Sequence, residues 1–400
     1  MTPFFRTLPP AGNKIPLSLL LHSLKHTGND RLNGTGLFTQ YLDGAHLLYL
    51  SSGRAALWLI LRGLQSMHPT RKKVILPAYT CPAVVSAVLK SGLQPVLCDI
   101  NLDDFGYSQN DLEDLIDENV LAVIVVHLFG IQANINPVAE LCKKHGILVI
   151  EDAAQAFGNE DRSTGTKLGL IGDAGFFSFG RGKPISMLYG GLVATKSNAI
   201  YNRCVEIYHD SVPHSSITEN LIYLTRLGCY SIFSNPSFYW APQRLPFLHL
   251  GETIFEPDFT ISKGSNISSG IARILLQDLD NDKKNRMARA QWYIENVPDT
   301  VVSTRALSVA YPFLRYPLLT KDRTTRDVLL KKLNSIGISG ALFYPCPLNE
   351  LPGLLGVLHD NNVYHNAKKL SETLLTLPVH DRVTKHDVSR IKRVIESTAL

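Results

Sequence analysis

A lysine in a glycine-flanked turn and a carboxylate at the end of an apolar strand are the two groups in this sequence best placed for chemistry. Lys183 follows Gly180-Arg181-Gly182, directly after Phe176-Phe177-Ser178-Phe179. Glycines free the backbone there. A lysine beside apolar strands loses solvation, which lowers its pKa and turns the amine into a nucleophile. A single loop lysine is more often just solvated. Asp152 ends the run Ile147-Leu148-Val149-Ile150-Glu151-Asp152, before Ala153-Ala154-Gln155. Taken alone, an aspartate in that position is most often a helix cap. Ser51-Ser52-Gly53-Arg54 precedes a helical segment, where free backbone N–H groups converge and favour an anion. Taken alone, this too is only a cap. Tyr189-Gly190-Gly191 enters a β-rich run, and its glycine pair permits either a tight turn or close backbone approach.

The four pieces gain meaning together. They are the parts that a pyridoxal phosphate enzyme needs. A lysine forms the Schiff base, and an aspartate pairs with the pyridinium nitrogen so that the ring accepts electrons. A helix start and Ser178 hold the phosphate.

The elements that must position these groups alternate along the chain. Val74–Pro77, Val96–Ile100, Leu121–His127 and Ile147–Asp152 are short Val/Ile-rich runs and read as strands buried on both faces. Between them Ala55–Met67, Pro82–Lys90 and Pro137–His145 have helical period, with proline near the start and glycine past the end. The pattern predicts an α/β fold with a mostly parallel central sheet flanked by helices, and ligands bind at the carboxyl ends of such strands. Tyr201–Phe259 reads as an irregular aromatic-rich excursion, and Ile271–Tyr293 as one long helix bridging to a smaller unit. Thr325–Ile336 and His386–Glu396 read as helices of that unit, which is α+β. The expected division is an N-terminal segment over 1–35, a large cofactor-binding domain over 36–280, and a small C-terminal domain over 281–400.

Composition narrows the class. The 400 residues are 45% hydrophobic and 19% charged, so a packed globular chain is expected rather than extended disorder. The net charge of +5 is small and no basic run with interleaved aromatics occurs, so a nucleic-acid partner is not expected. No basic n-region with an apolar stretch opens the sequence, and no run is long and apolar enough for a transmembrane helix. The six cysteines are scattered without zinc spacing, so no metal is expected, and reduced thiols in a cytoplasmic protein are the simplest reading.

In these residues the sequence resembles the DegT/StrS family of pyridoxal-phosphate-dependent nucleotide-sugar aminotransferases, of fold type I. The resemblance runs through Leu8–Gly12, Ser51–Leu57, Leu76–Val88, Pro95–Ile100, Val126–Gly130, Val149–Gly158, Gly172–Ser186 and Tyr189–Thr195. In the C-terminal part it runs through Tyr311–Leu319, Phe343–Asn349 and Leu377–His380. It implies that Lys183 is the Schiff-base lysine and proton shuttle, Asp152 the pyridinium partner, and Gln155 a partner near the phenolic oxygen. Ser178 and the backbone of Gly53 and Arg54 become the phosphate cradle. Tyr79 and Cys81 are both candidates to cover the cofactor ring, where the family usually carries an aromatic side chain. His127 either lies near the ring or packs its strand. Arg181 either binds a substrate anion or is solvated. Lys263 or Asn266 stands where the family places an asparagine that reaches across to a partner subunit.

The implied activity is transfer of an amino group from glutamate to a nucleotide-linked keto-sugar, in amino-sugar or surface-polysaccharide biosynthesis. The implied assembly is a homodimer, with Tyr201–Phe259 part of its contact. Two rivals are a sugar dehydratase, in which the lysine is expected to be replaced, and a regulatory protein that binds the cofactor without turnover.

Overall fold

The apolar runs pair into one seven-stranded sheet in the order β1-β7-β6-β5-β4-β2-β3. The strands are β1 (His46–Leu50), β2 (Lys73–Pro77), β3 (Gln94–Cys98), β4 (Val120–Val126), β5 (Leu148–Asp152), β6 (Ala174–Ser178) and β7 (Gly191–Thr195). β2 to β6 are mutually parallel, while β7 pairs antiparallel with both β6 and β1. Every residue of β4 is buried, as a strand covered on both faces requires. The computed structural model describes residues 6–12, 15–16, 35–243, 253–297 and 310–398. Most of the expected N-terminal segment over 1–35, and residues 244–252 of the aromatic excursion, lie outside the described residues.

The single reversed strand brings distant residues to one place. The register pairs Ser178 at the end of β6 with Gly191 at the start of β7, and Gly191 with Leu50 at the end of β1. Val126 pairs with Asp152, and Asp152 with Phe176. The glycine pair and the carboxyl ends of β1, β4, β5 and β6 therefore share one sheet edge.

Helices flank the sheet: α1 (Gly53–Met67), α2 (Pro82–Lys90), α3 (Gln109–Leu115), α4 (Ile135–Lys144) and α5 (Asn198–Ser211). In α1, Leu57, Leu59, Ile60, Leu61 and Leu64 are all buried. At about 1.5–3 kcal/mol for each such side chain, this burial fixes the helix against the sheet far more firmly than its own propensity does. A two-stranded antiparallel sheet, β8 (Tyr316–Leu319) with β9 (Leu374–Leu377), carries α9 (Arg323–Ser335), α10 (His365–Thr373) and α11 (Lys385–Glu396).

Four expectations need correction. β1 has no counterpart among the expected strands. The strand expected over Val96–Ile100 starts two residues earlier and includes Pro95, which is tolerated because β3 is at the sheet edge. The excursion from Tyr201 is largely helical: α5 runs on to Ser211, and α6 spans Ile217–Phe233. The two of its prolines nearest α6, Pro213 and Pro236, flank that helix rather than interrupt it. Ser216 and Glu219 form a capping box, and Tyr223 and Leu227 bury one face. The helix expected over Ile271–Tyr293 is two, α7 (Asn266–Gln277) and α8 (Leu279–Asn296), parted at Asp278, whose ψ of 0° lies outside helical geometry.

Among the described residues no helix is long and apolar enough to cross a membrane. All six cysteines are free thiols.

The N-terminal stretch is tied down by a buried histidine. His380 Nε2 donates to the Pro9 carbonyl at 2.8 Å, and its Nδ1 accepts from the Arg382 N–H. Burial pushes its pKa down to about 4; the Pro9 carbonyl partly opposes this, and Arg382 adds to it. The unfolded chain takes up a proton near pH 6.5 and the folded one does not until about pH 4, so stability is full above 6.5 and falls as pH drops between them. Going from pH 7 to pH 5 should cost about 2 kcal/mol through this group. Thermal melts at both pH values check it: His380→Gln keeps a donor for Pro9 and should show a smaller fall in Tm than the parent.

Candidate active site

The carboxyl end of β5 presents two carboxylates to opposite faces. Glu151 is fully buried. Its Oε2 accepts from His127 Nε2 at 2.8 Å and from the Gly169 N–H at 2.8 Å, and its Oε1 from the Ile171 and Gly172 N–H groups at 2.6 and 2.7 Å. His127 Nδ1 accepts from the Ala133 N–H, which fixes the tautomer with the proton on Nε2. His127 is thus a structural strut on the far side of the strand from the cavity that Asp152 faces.

Asp152 points the other way, into a cavity of about 260 Å³. Lys183, Gln155, Ser178, Gly53, Arg54 and Cys81 line the same cavity, so seven of the eight residues expected at the site converge there. Asp152 Oδ1 accepts from the Ala154 N–H at 3.0 Å, and its other oxygen has no partner among the described residues. Burial raises the Asp152 pKa, while the Lys183 ammonium works against that rise. Its ionised form is therefore favoured by a cation brought into the cavity. Gln155 Oε1 accepts from the Phe129 N–H at 3.0 Å, which turns its amide group into a fixed feature of the wall.

The opposite wall is the start of α1. Ser52 caps it, with Oγ accepting from the Ala55 N–H at 3.2 Å. A Cβ on Gly53 would stand 2.8 Å from Ser178 Cβ, and one on Gly191 would stand 2.4 Å from the Ser52 carbonyl. Only glycines let the helix start press onto the end of β6 and the start of β7, where Ser52, Gly53, Arg54 and Ser178 line the same cavity. Arg54 turns its guanidinium outward to Glu256 at 2.6 Å and lies over the Phe259 ring. Its contribution to the cradle is backbone.

The expected ring-covering pair separates. Cys81 caps α2 and lines the cavity, and burial keeps its thiol pKa raised. Tyr79 is removed from the wall: it is 2% exposed, and its hydroxyl donates to the Tyr344 carbonyl at 3.2 Å. The aromatic residues that do line the cavity are Phe176, Tyr189 and Tyr344, the last of which packs edge-on against Tyr79. Sequence reading missed that role, since Tyr344 lies far from the other site residues in the chain. Lys263 does not line the cavity either: its ammonium lies over the Tyr208 ring. Asn266 is the first residue of α7. Three bulky residues bordering the site hold left-handed backbone: Phe129 at φ +59°, Leu188 at +64° and Phe343 at +69°. Such strain, about 1–3 kcal/mol each, persists where surroundings over-determine it and clusters at functional sites.

A cradle of glycine-freed N–H groups for a phosphate, a buried carboxylate lacking a partner on one oxygen, and a lysine beside it suit pyridoxal 5'-phosphate. The fold and cavity define a pyridoxal-phosphate-dependent aminotransferase of fold type I. The chain belongs to the DegT/DnrJ/EryC1/StrS aminotransferase family, whose profile matches residues 24–233 and 256–396. It is similar to a UDP-N-acetyl-3-dehydro-alpha-D-glucosamine 3-aminotransferase of Acidithiobacillus ferrooxidans, 27% identical over 88% of this chain and 84% of that protein. It is 31% identical over 175 residues to a GDP-perosamine synthase of Vibrio cholerae; the match spans 44% of this chain and about half (47%) of that relative. In structure it resembles Helicobacter pylori PseC, an aminotransferase involved in the biosynthesis of pseudoaminic acid. There the TM-score is 0.76 at 19% identity, covering 98% and 99% of the two chains.

Glu151→Gln tests the strut behind Asp152. The amide places an N–H group against donors that a carboxylate satisfied, so at least one buried donor loses its partner, at about 1–3 kcal/mol. The variant should unfold at lower denaturant than the parent with an unchanged m-value, read by circular dichroism.

Proposed function

We propose that the protein transfers an amino group from glutamate to a keto group on a nucleotide-linked sugar, for amino-sugar or surface-polysaccharide biosynthesis. The observation that supports this best is the meeting of Lys183 and Asp152 in one cavity with the start of α1 and Ser178. Pyridoxal phosphate, when bound, supplies a ring that withdraws the electron pair left on a carbon after proton removal. Every other task falls to the protein. The first N–H groups of α1 and Ser178 Oγ hold the phosphate. The Asp152 carboxylate holds a proton on the ring nitrogen, worth roughly 4 kcal/mol for an ion pair at an effective dielectric near 20. Lys183 Nζ carries a proton to and from the substrate carbon. Tyr344 and Cys81 narrow the cavity and limit water. The names of the two sequence relatives, both built on a nucleotide sugar, support the substrate class. Lys183 disfavours the dehydratase reading.

Asp152→Asn with glutamate as donor tests the assignment. Asn caps a turn about as well as Asp, so a purely structural Asp152 predicts a nearly unchanged rate. A catalytic Asp152 predicts retained cofactor and at least a tenfold slower donor half-reaction, about 1.4 kcal/mol or more of barrier. Single-turnover rates, followed by the cofactor's visible absorption, decide between them. A parent protein whose absorption does not respond to glutamate would be a regulator. A screen of nucleotide-linked keto-sugars by mass spectrometry names the acceptor.

We also propose that two copies associate. The N-terminal half of α6 leaves Ile217 88% and Leu221 64% exposed, with Ile222 beside them. Apolar surface of this kind on one helix suits a protein contact. Light scattering on the cofactor-loaded protein should give the dimer mass, and a monomer would refute the assembly.

A further inference from the structure

A second and larger cavity, about 650 Å³, adjoins the first. Leu188 lines both. Its walls come from the lysine turn, from α6, from the Pro9–Ala11 stretch and from Arg315 just before β8. Three of its lining residues are arginines, Arg181, Arg226 and Arg315, and among the described residues that line it none is an aspartate or a glutamate. None of the three guanidiniums has a carboxylate partner among the described residues. Arg315 Nε is buried without a hydrogen-bond partner. A Cβ on Gly182 would stand 3.6 Å from Arg315 Nη2, so this guanidinium adjoins the residue before Lys183. Burial pushes the Arg315 pKa down to about 10, and Arg181 adds to that, yet the group stays cationic at neutral pH. Tyr230, Phe233 and Tyr239 add aromatic surface to the wall.

Like charges converging on a cleft with low-dielectric walls focus a positive potential and lower their mutual repulsion when an anion enters. Three guanidiniums supply more donors than one carboxylate accepts, whereas a diphosphate bridge matches them, and guanidinium–phosphate pairing is among the strongest hydrogen-bonded contacts. The volume fits a ligand of nucleotide size. We propose that this cavity binds the diphosphate of the acceptor, held by Arg181, Arg226 and Arg315, with the nucleoside ring against Tyr230, Phe233 and Tyr239. The sugar then extends past Leu188 toward Lys183. This assignment rests on the sugar-transamination reading, and it gives α6 a role in choosing the substrate.

Calorimetric titration of the cofactor-loaded protein with UDP, GDP, dTDP and inorganic pyrophosphate tests it. The parent should bind pyrophosphate and at least one nucleoside diphosphate, with pyrophosphate displacing the nucleotide. Arg226 is exposed on α6, so Arg226→Ala should fold as the parent does and weaken both by about tenfold or more. Arg226→Lys should lose less, because it keeps the charge. Tyr239→Ala should weaken the nucleotide and leave pyrophosphate unchanged. No binding of any of the four by the parent, or undiminished binding by Arg226→Ala, overturns the proposal. The glutamate half-reaction of the parent, run without nucleotide, reports on the transamination reading by itself. If it fails while diphosphates bind, that reading falls and the cavity stands as a nucleotide site. If it succeeds while none binds, only the cavity assignment falls.

Discussion

The buried carboxylate of Glu151 is the interaction on which the site's geometry depends. An ionised carboxylate without solvent costs several kcal/mol unless it is fully hydrogen-bonded. Here four donors converge on it: the His127 ring, and the Gly169, Ile171 and Gly172 N–H groups. They bind the ends of β4 and β5 to the loop that leads into β6. Successive residues of a strand face opposite ways, so anchoring Glu151 on one side aims Asp152 at the cavity on the other. The position of Asp152 is thus set by its neighbour.

A second constraint works from the facing wall. The start of α1 approaches the end of β6 and the start of β7 so closely that no side chain fits at Gly53 or Gly191. That approach is possible because β7 runs against β6, bringing its glycine pair to the edge where Ser178 ends. The large hydrophobic burial of α1 holds the approach in place, so packing energy along the helix offsets the cost of close N–H convergence at its start.

The two cavities share a wall at Leu188, a residue held in left-handed backbone. One is built from the sheet edge and holds Lys183 and Asp152. The other is built from α6 and the turn of Arg181, and it offers positive charge and aromatic surface. The sheet edge and the helix thus contribute different kinds of group. The family profile spans both the sheet-edge residues and α6, although α6 lies in the stretch whose sequence reads as an irregular excursion.

Much of this was legible in the sequence alone. Short Val/Ile-rich runs between helical segments give a parallel sheet, because only strands covered on both faces are so uniformly apolar. Lys183, Asp152, Ser178 and Gly53 could be singled out because each lies at a local landmark, a glycine turn, a strand end or a helix start, whereas Gln155 was implied by the family resemblance. What the tertiary structure decided are the relations that no local signal encodes. Sequence placed Tyr79 and Cys81 as equal candidates, and only packing against Tyr344 from the C-terminal part of the chain turned Tyr79 inward. It left His127 ambiguous, because a histidine at a strand end says nothing of the carboxylate it will meet. It left α6 irregular, because flanking prolines and aromatic residues mask a helix whose buried face is only Tyr223 and Leu227. It could not foresee that Arg181, Arg226 and Arg315 share a cavity. Local propensity and periodicity act over a few residues, whereas those three arginines are brought together by the packing of elements far apart in the chain.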